Sequence, residues 1–324
     1  MKKVLIANRG EIAIRIARTC SDLGLKTVGI YSEDDSNSLH LSKVDEAFKI
    51  EGNGAQAYLN IKEIIAVAKK SKVDAIHPGY GFLSENSSFA SAAKRAKIKF
   101  VGPSERTLKI FGDKTSAKEL ALSLGIPVIA GTKQKTTLKQ AQDFLKSLKK
   151  NSSVVIKAIS GGGGRGMRVV SKPDDLKESF DRASSEAKAS FDSPDLYLEE
   201  YLRDYRHIEF QILGDGTGAV SHLHERECSI QRRYQKLIEI APSPSLNVDL
   251  KSRMIEASLA LTQKLKYEGL ATIEFLVNIE KNDFRFIECN PRLQVEHTVT
   301  ESVLSLDLVR AQLQIASGKT LKQI

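Results

Sequence analysis

The glutamates Glu274 and Glu288 have the types and spacing that most clearly predict chemistry. They lie in two apolar runs, 272–277 and 284–288, which a short polar segment joins. A hairpin centred on Lys281 places the two carboxylates opposite each other, where they repel and are costly to desolvate. A divalent cation between them removes this conflict, and carboxylate oxygens suit magnesium. The pair therefore predicts a metal site on an apolar sheet.

Polar side chains recur at every second position after this hairpin. Because alternate side chains of an extended chain point to one face, the pattern predicts that all five lie on the metal side. A solvent-facing strand is the ordinary alternative, although it does not explain why two glutamates sit opposite each other. The five residues are Glu288, Asn290, Arg292, Gln294 and Glu296.

A lysine followed by a glycine-rich run is the strongest local signal. Lys157 ends a strand-like run at 154–157, and glycine fills all but one of the positions 161–166. Such a run does not stabilise a helix or strand, but its backbone N–H groups can wrap a phosphate. It is not a Walker A loop, because no Gly-Lys-Ser/Thr follows. A flexible linker is the alternative, and the flanking strand-like runs favour a nucleotide lid instead.

Two further segments give weaker signals. Segment 227–236 contains several basic residues that would suit an anionic substrate near the metal, but read alone it can equally be a surface loop. The turn 8–11 opens a helix after a strand, which suits an anion at a helix N-terminus. It lacks the GxGxxG pattern of dinucleotide sites, and Gly10 can equally be there only to make the turn.

The composition of the 324-residue chain excludes several classes of protein. With 41% hydrophobic and 27% charged residues it is neither disordered nor fibrous, and no apolar run reaches the roughly 18 residues of a membrane helix. The net charge of +9 is spread over single and paired lysines, and aromatics make up only 6%, so nucleic-acid binding is not expected. The start Met1-Lys2-Lys3 leaves no room for a signal peptide, and three scattered cysteines fit neither a disulfide framework nor a zinc site. We therefore expect a cytoplasmic protein that binds neither nucleic acid nor membranes.

The elements that must position these residues fall into three regions. In the first hundred residues, short apolar runs alternate with helical patterns, which predicts a doubly wound parallel sheet. A small α+β module is then expected to carry the glycine-rich loop, and longer strands of antiparallel character follow it. We therefore predict a mixed α/β and α+β fold with regions 1–112, 113–203 and 204–324.

Taken together, these residues resemble the biotin carboxylase family, within the ATP-grasp ligases. The resemblance spans nearly the whole chain in family order, and the Gln-Val-Glu-His sequence at 294–297 separates it from carbamoyl-phosphate synthetase. It implies a Rossmann-like N-terminal domain, an ATP-grasp lid and an incomplete antiparallel C-terminal part. The matching stretches are 7–13 (ANRGEIA), 77–86 (HPGYGFLSEN), the lysine-plus-glycine loop, Gln231-Arg232-Arg233 with Gln235-Lys236, and 288–297 (ECNPRLQVEH).

The resemblance implies ATP-dependent carboxylation of biotin. In the family, bicarbonate and MgATP give carboxyphosphate, and the carboxyl group passes to N1′ of biotin on a biotin carboxyl carrier protein or domain. A carboxyltransferase then delivers it to acetyl-CoA for fatty acid biosynthesis, to another acyl-CoA or to pyruvate. The expected cofactors are ATP, Mg²⁺ or Mn²⁺ and carrier-bound biotin, and homodimers are common. The physical task is to position and stabilise a migrating phosphoryl group.

The family motifs also imply roles for individual residues. The implied ATP-binding residues are Lys114, Lys157, Gly163, Gly164, Glu199, Glu200, Tyr201, Leu202, His207, Gln231, Tyr234, Glu274 and Glu288. The implied metal ligands are Glu274, Glu288 and Asn290. The implied bicarbonate site consists of Lys236, Arg292, Gln294 and Val295. The implied catalytic residues are Lys236, Arg292 and Glu296, with Glu296 as the base that deprotonates bicarbonate.

Two positions depart from the family pattern. Tyr234 stands where many members carry a histidine near the ATP ribose, so we expect the phenol to take over that contact. Thr298 replaces a proline that is common after the Glu-His pair, and pyruvate-carboxylase-type members resemble the chain there.

Family members continue past Ile324 and supply there an arginine that pairs with the biotin enolate. We therefore expect a fragment, or a subunit completed by a partner, that binds nucleotide but carboxylates biotin weakly or not at all. Two other functions stay open: another ATP-grasp ligase that acts on a carboxylate or carbamate, and a non-catalytic ATP-binding subunit. Bicarbonate-stimulated ATP turnover separates biotin carboxylation from both.

Overall fold

A computed structural model describes residues 1–133, 135–149, 152–159, 167–232 and 234–324 of the chain. The glycine-rich loop, with the predicted ATP-binding residues Gly163 and Gly164, lies outside the described residues. The strands are β1 (Lys3–Ile6), β2 (Lys26–Tyr31), β3 (Glu46–Lys49), β4 (Ala75–His77), β5 (Lys99–Phe100), β6 (Ser153–Ala158), β7 (Met167–Val170), β8 (Leu196–Tyr201), β9 (Arg206–Asp215), β10 (Val220–Arg232), β11 (Gln235–Ile240), β12 (Glu268–Asn278) and β13 (Asp283–Asn290). The helices are α1 (Gly10–Asp22), α2 (Gly54–Ala57), α3 (Ile61–Lys70), α4 (Ser87–Arg95), α5 (Glu105–Gly112), α6 (Lys114–Ser123), α7 (Leu138–Ser147), α8 (Leu176–Phe191), α9 (Val248–Lys264), α10 (His297–Leu304) and α11 (Leu308–Ala316).

The first region forms a five-stranded parallel sheet in the order β3-β2-β1-β4-β5. Its central strands are short buried apolar runs, and the helices between them bury one apolar face, as α1 does with Ile12 and Ile16. The predicted doubly wound parallel sheet is therefore confirmed. Strand β3 is absent from the prediction because its sequence, Glu-Ala-Phe-Lys, is mostly exposed at the sheet edge and forms no apolar run.

The middle region contains a three-stranded antiparallel sheet in the order β7-β6-β8. Side chains of this sheet, such as Ile156 and Leu198, pack with residues of α7 and α8 into a separate core. Lys157 on β6 pairs with Met167 on β7, so the strands hold the two ends of the glycine-rich segment next to each other. This is the small α+β module that the sequence predicts.

The third region is a five-stranded antiparallel sheet in the order β11-β10-β9-β12-β13. Helix α9 packs Leu250, Met254 and Leu261 against one face of it. Strand β10 continues to Arg232 and pairs with the edge strand β11, which begins at Gln235. In segment 227–236, the described residues 227–232 and 235–236 therefore lie in paired strands of this sheet and not in a surface loop.

Helix α6 joins the middle region to the third. The sequence boundary at residue 113 assigns this helix to the middle region, but Ala117 and Ala121 lie in the core of the antiparallel sheet, together with Ile126. The boundary therefore separates chain segments rather than hydrophobic cores. Helix α6 therefore packs on the antiparallel sheet while its other side chains can contact the middle region, which we call the lid.

Helix α11 joins the third region to the first. Its buried residues Leu308 and Leu313 pack with the apolar face of α1 and with β1. Arg15 on α1 lies 2.8 Å from Glu301 of α10 and 2.8 Å from Asp307, which precedes α11. An apolar core and an ionic contact therefore fix the two sheets relative to each other.

None of the helices in the described ranges is long and apolar enough to cross a membrane. The three cysteines, Cys20, Cys228 and Cys289, are buried and free. Burial raises the pKa of the Cys20 thiol to about 12. These thiols therefore pack as small apolar side chains.

Candidate functional site

Four charged side chains form a row across neighbouring strands of the antiparallel sheet. Arg226 on β10 pairs with Glu209 on β9, Glu209 pairs with Glu274 on β12, and Glu274 pairs with Glu288 on β13. Cβ atoms of residues directly opposite each other lie about 4.5–5.5 Å apart, so three carboxylates follow one guanidinium. We call these four residues the charge row. Because Arg226, Glu209 and Glu274 are buried, the row needs further cations to compensate its negative charge.

The predicted pairing of Glu274 with Glu288 is confirmed. Between Glu274 and Phe275 the register shifts, so that Phe275 pairs with Phe286. The extra residue on β13 is a β-bulge, which re-aims the neighbouring side chains. A hairpin centred on Lys281 therefore predicts the glutamate pair correctly but misses the shift nearer the turn.

Lys236 is the central cation beside the charge row. Its ammonium lies 2.5 Å from Glu209 Oε2, 3.2 Å from Glu274 Oε1 and 2.8 Å from Glu296 Oε1. It projects from the edge strand β11, where it pairs with Gln231 of β10. Burial alone would lower the pKa of Lys236, but the carboxylates, Glu274 first, raise it above its ordinary value. Lys236 is therefore a fixed cation that joins Glu296 to the charge row.

The two facing glutamates have opposite charge environments. Burial opposes ionisation of Glu274, but a 2.7 Å hydrogen bond from His207 and the charge of Lys236 outweigh it and lower its pKa. At Glu288, burial and the charge of Glu274 both raise the pKa, while the Lys114 ammonium lies 3.6 Å away. The Glu288 end of the row is therefore less well compensated by positive charge than the Glu274 end.

His207 lies on the same face of β9 as Glu209. The Gln231 amide lies 2.8 Å from His207 Nδ1, and His207 Nε2 lies 2.7 Å from Glu274 Oε2. In the neutral tautomer Nδ1 accepts from Gln231 and Nε2–H donates to Glu274. Burial would lower the pKa of His207, but the bond to Glu274 raises it. Two predicted nucleotide residues are thus tied to the charge row.

The predicted extended conformation of 288–296 is confirmed for 288–290, which lie in β13, and is wrong for 291–296. Strand β13 ends at Asn290, because Pro291 has no N–H for the strand ladder, and a turn leads into α10. Two of the polar side chains nevertheless reach Glu274. Asn290 donates to Glu274 Oε1 at 2.7 Å, and the Gln294 amide nitrogen lies 3.4 Å from the same oxygen. The end of β13 and the turn after it bring both side chains to this carboxylate.

Arg292 lies where the third region meets the first. Its Nε donates to Glu85 Oε1 at 2.5 Å, and its Nη2 donates to Asn290 Oδ1 at 3.2 Å. Glu85 belongs to the segment that follows β4, so this ion pair connects the two sheets at the site. Val295 is 62% exposed, and the bicarbonate contact of its backbone stays a prediction.

A second charged cluster connects the lid to α6. Glu199 on β8 is 3% exposed and forms ion pairs with Lys118 of α6 and Lys157 of β6. Burial would raise the pKa of Glu199, but the two ammonium groups lower it to about 2. Lys114, the other lysine predicted to contact phosphate, begins α6 and points its ammonium toward Glu288.

The remaining predicted ATP-binding residues lie at the margins of these clusters. Glu200 and Tyr201 end β8, and Leu202 follows directly. Tyr234 lies at the turn between β10 and β11, where it is exposed and has a φ of 65°. Their roles stay predictions.

Four charged residues of the site, Glu209, Arg226, Lys118 and Glu85, are absent from the sequence prediction. Glu209 stands two positions after His207, and the strand period of two would have placed both side chains on one face. Lys118 and Glu85 carry no such signal, because their partners are far away in the sequence. Only the packing of the regions brings these pairs together.

The Glu288 end of the charge row fits a divalent cation. The ligand atoms of His207, Glu209 and Glu274 also lie within 4.8 Å of one another. At that position, however, Lys236 already compensates the carboxylates. Burial and the charge of Glu274 raise the pKa of Glu288, so a cation between the two glutamates would relieve their repulsion, and carboxylate oxygens are hard ligands. This favours the space between Glu274 and Glu288 for the metal.

Two family models together match almost the whole chain. The biotin carboxylase N-terminal domain matches residues 1–108. The ATP-binding domain of the carbamoyl-phosphate synthase L chain matches residues 113–324.

Curated relatives include pyruvate carboxylases. The mitochondrial enzyme of Homo sapiens is 48% identical over 328 residues, and that of Bacillus subtilis is 49% identical over 325 residues. These alignments cover 100% and 99% of this chain and 28% of each relative. The chain therefore spans little more than a quarter of the length of these relatives.

Solved biotin carboxylases share the fold over nearly the whole chain. A biotin carboxylase–βγ-ATP complex from Campylobacter jejuni is 42% identical with a TM-score of 0.93, and the match covers 99% of this chain and 72% of that one. The biotin carboxylase domain dimer of Hydrogenobacter thermophilus 2-oxoglutarate carboxylase, in complex with MgADP, ADP and bicarbonate, is also 42% identical with a TM-score of 0.93, covering 99% and 70%. Together with the parallel sheet, the lid and the charge row, these matches show that the chain belongs to the biotin carboxylase family of ATP-grasp ligases.

Proposed function

We propose that the chain catalyses ATP-dependent carboxylation of biotin with bicarbonate, as the biotin carboxylase part of a biotin-dependent carboxylase. The observation that carries this proposal is the position of Lys236, whose ammonium joins Glu296 to Glu209 and Glu274. A cation for an anionic substrate and a carboxylate base thus lie beside a candidate metal site. These are the groups needed to deprotonate bicarbonate and to guide its attack on a phosphate.

Bicarbonate binds between the antiparallel sheet and the turn before α10 in this proposal. Lys236, Arg292, the Gln294 amide and the backbone of Val295 hold its oxygens. Burial would raise the pKa of Glu296, but Lys236 lowers it, so the carboxylate is ionised and can accept the bicarbonate proton. A bicarbonate oxygen then attacks the γ-phosphorus, the bond to the β–γ bridging oxygen breaks, and ADP leaves. The carbon–oxygen bond to phosphate in the resulting carboxyphosphate then breaks, the carboxyl group passes to N1′ of biotin, and the released phosphate takes the N1′ proton.

ATP binds between the lid and the antiparallel sheet. Lys114, Lys157 and the loop with Gly163 and Gly164 hold its phosphates, and the hinge 199–202 holds the adenine. His207, Gln231 and Tyr234 complete the nucleotide site. Mg²⁺ or Mn²⁺ is held by Glu274, Glu288 and Asn290. When bound, the metal supplies positive charge to the phosphate oxygens.

The partners follow from the proposed reaction. A biotin carboxyl carrier protein or domain brings biotin, a carboxyltransferase removes the carboxyl group, and a second copy of the chain can form a homodimer. We propose pyruvate as the final acceptor, which the pyruvate carboxylase relatives and Thr298 support. Acetyl-CoA, with a role in fatty acid biosynthesis, or another acyl-CoA is the alternative outcome of an acceptor assay. We propose a cytoplasmic location from the composition, and cell fractionation tests it, since the human relative is mitochondrial.

The test is ADP release by the purified chain with MgATP, in carbon dioxide-free buffer with and without added bicarbonate. We expect bicarbonate to stimulate ADP release, and carboxybiotin is assayed after adding free biotin. Lys236→Met should abolish the stimulation. Lys251→Met is the matched control, because Lys251 pairs with Glu225 outside the charge row. ATP binding without turnover would indicate a non-catalytic subunit, and stimulation only by other carboxylates would indicate another ATP-grasp ligase.

A further inference from the structure

Arg226 lies at the buried end of the charge row and uses all of its hydrogen-bond donors. The residue is fully buried, and a guanidinium carries five N–H groups and no acceptor. Its Nε donates to Glu209 Oε1 at 2.6 Å. Its Nη1 donates to Gln211 Oε1 at 2.9 Å and to Thr300 Oγ1 at 2.7 Å. Its Nη2 donates to Thr272 Oγ1 at 3.3 Å and to Gln294 Oε1 at 3.0 Å.

Stability alone does not account for this arrangement. A buried ion pair often contributes little to folding, because desolvation offsets the attraction between its charges. Three of the contacts, to Gln211, Thr272 and Thr300, connect the sheet to α10 and fix the plane of the guanidinium. The other two reach residues that surround the proposed bicarbonate site. The fixed guanidinium can therefore hold the side chains of Glu209 and Gln294 in place beside the site.

The contact between Arg226 and Gln294 orients the Gln294 amide. An amide has an acceptor end and a donor end, which exchange when the group rotates by half a turn. Because Arg226 can only donate, it holds Gln294 Oε1 inward and turns Nε2 toward Glu274, 3.4 Å away. Bicarbonate oxygens accept hydrogen bonds, so the Gln294 side chain can bind bicarbonate only if its NH₂ group faces the site. Arg226 selects that orientation.

The second contact balances charge around Lys236. The Lys236 ammonium faces the carboxylates of Glu209, Glu274 and Glu296. Arg226 compensates Glu209 from the opposite side through Oε1, while Lys236 contacts Oε2. Without the guanidinium, Lys236 alone would have to compensate the negative charge of Glu209, and Glu209 would repel an incoming anion. Arg226 therefore leaves Lys236 able to attract bicarbonate.

We propose that Arg226 is a positioning residue for bicarbonate, acting through the Gln294 amide and through Glu209. The proposal rests on the proposed function and adds to it a residue that does not touch substrate. It also separates two ligands of the enzyme: the bicarbonate site depends on Arg226, whereas the nucleotide contacts of the lid do not.

The test is a double-mutant cycle of Arg226→Lys with Gln294→Ala. Lysine keeps the charge but cannot span Glu209 and Gln294 as a planar guanidinium does. The readouts are the KM for bicarbonate in ADP release, kcat at saturating bicarbonate and the Kd for MgATP. Arg206→Lys is the matched control, because Arg206 lies on the same sheet and pairs with Glu227, outside the charge row.

We expect each single variant to raise the KM for bicarbonate about 10- to 100-fold, the size expected for one lost hydrogen bond to a charged group. The Kd for MgATP should stay within about threefold, and Arg206→Lys should change neither value. The double variant should resemble Gln294→Ala alone, because the lysine still supplies the positive charge that compensates Glu209, and both changes remove the same oriented amide. Additive effects, or equal losses of bicarbonate and MgATP affinity, would overturn the proposal.

A second variant decides the question if Arg226→Lys does not fold. Thr300→Val removes one acceptor and leaves Arg226 in place, so the guanidinium loses one of its fixed contacts. We expect a smaller rise in the KM for bicarbonate, again absent in the Gln294→Ala background. An unchanged KM in Thr300→Val would overturn the proposal. If the unsubstituted chain releases ADP independently of bicarbonate, the proposed function itself fails. If that dependence holds and only the cycle is additive, the role of Arg226 alone is wrong.

Discussion

The buried Glu199 carboxylate should contribute several kcal/mol to the stability of the lid and α6. It is 3% exposed and lies between the ammonium groups of Lys118 and Lys157. Glu199→Gln keeps the shape of the side chain but leaves two like charges facing each other in a buried site. Removing one partner of a buried ion pair costs about 3–5 kcal/mol.

The pKa of Glu199 leads to a similar magnitude. Burial would raise it, but the two lysines lower it from 4.5 to about 2. A fall of this size corresponds to roughly 3 kcal/mol of stabilisation of the folded state. Because the folded pKa lies below the unfolded one, this contribution is fully present above pH 4.5 and is lost as the pH falls toward 2.

Urea unfolding of Glu199→Gln and of the unsubstituted chain measures this contribution. We expect a loss of about 3 kcal/mol at pH 7, and a smaller difference between the two proteins near pH 3. Glu186→Gln is the control, because Glu186 is 57% exposed and pairs with Arg168 on the lid surface. Exposed pairs contribute about 0–1 kcal/mol. A Glu199→Gln loss no larger than that of Glu186→Gln would refute the reasoning.

Three further perturbations have definite expected outcomes. Glu288→Gln should weaken Mg²⁺ binding at least tenfold by calorimetry while thermal unfolding stays within a few degrees; unchanged Mg²⁺ affinity contradicts the metal assignment. Gly131→Ala places a Cβ 2.7 Å from the Leu198 carbonyl oxygen, so urea unfolding should show a loss of about 1–3 kcal/mol, and none if the backbone approach is wrong. Arg15→Met should reduce hydrogen-exchange protection of α11, and unchanged protection would show that its ion pairs do not hold that helix.

Much of the fold is predictable because its central strands and helices carry clear apolar periods. The alternation of apolar runs and helical patterns in the first hundred residues predicts the parallel sheet, and the antiparallel pairing at Glu274 follows from a simple hairpin count. The missed elements lack such periods. Apolar and polar residues do not alternate along strand β11. It lies at the sheet edge, where adjacent apolar residues such as Leu237 and Ile238 are both exposed.

The site is only partly predictable, for a similar reason. Residues on one strand or one motif can be grouped from sequence, and Glu274, Glu288 and Asn290 are such a group. The buried cations that balance them come from other strands and other regions. Arg226 of β10 donates a hydrogen bond to Gln294 in the turn before α10, and no local sequence spacing predicts that contact.

Transfer of labelled oxygen from bicarbonate to phosphate tests the central claim most directly. If bicarbonate attacks the γ-phosphorus beside Lys236 and Glu296, one of its oxygens must remain on the released phosphate. With ¹⁸O-labelled bicarbonate and MgATP, we expect phosphate that carries one ¹⁸O, and none with Lys236→Met. Phosphate from the unsubstituted chain that carries no label above the uncatalysed background, despite ADP release, would show that water is the attacking group and would contradict the proposed function.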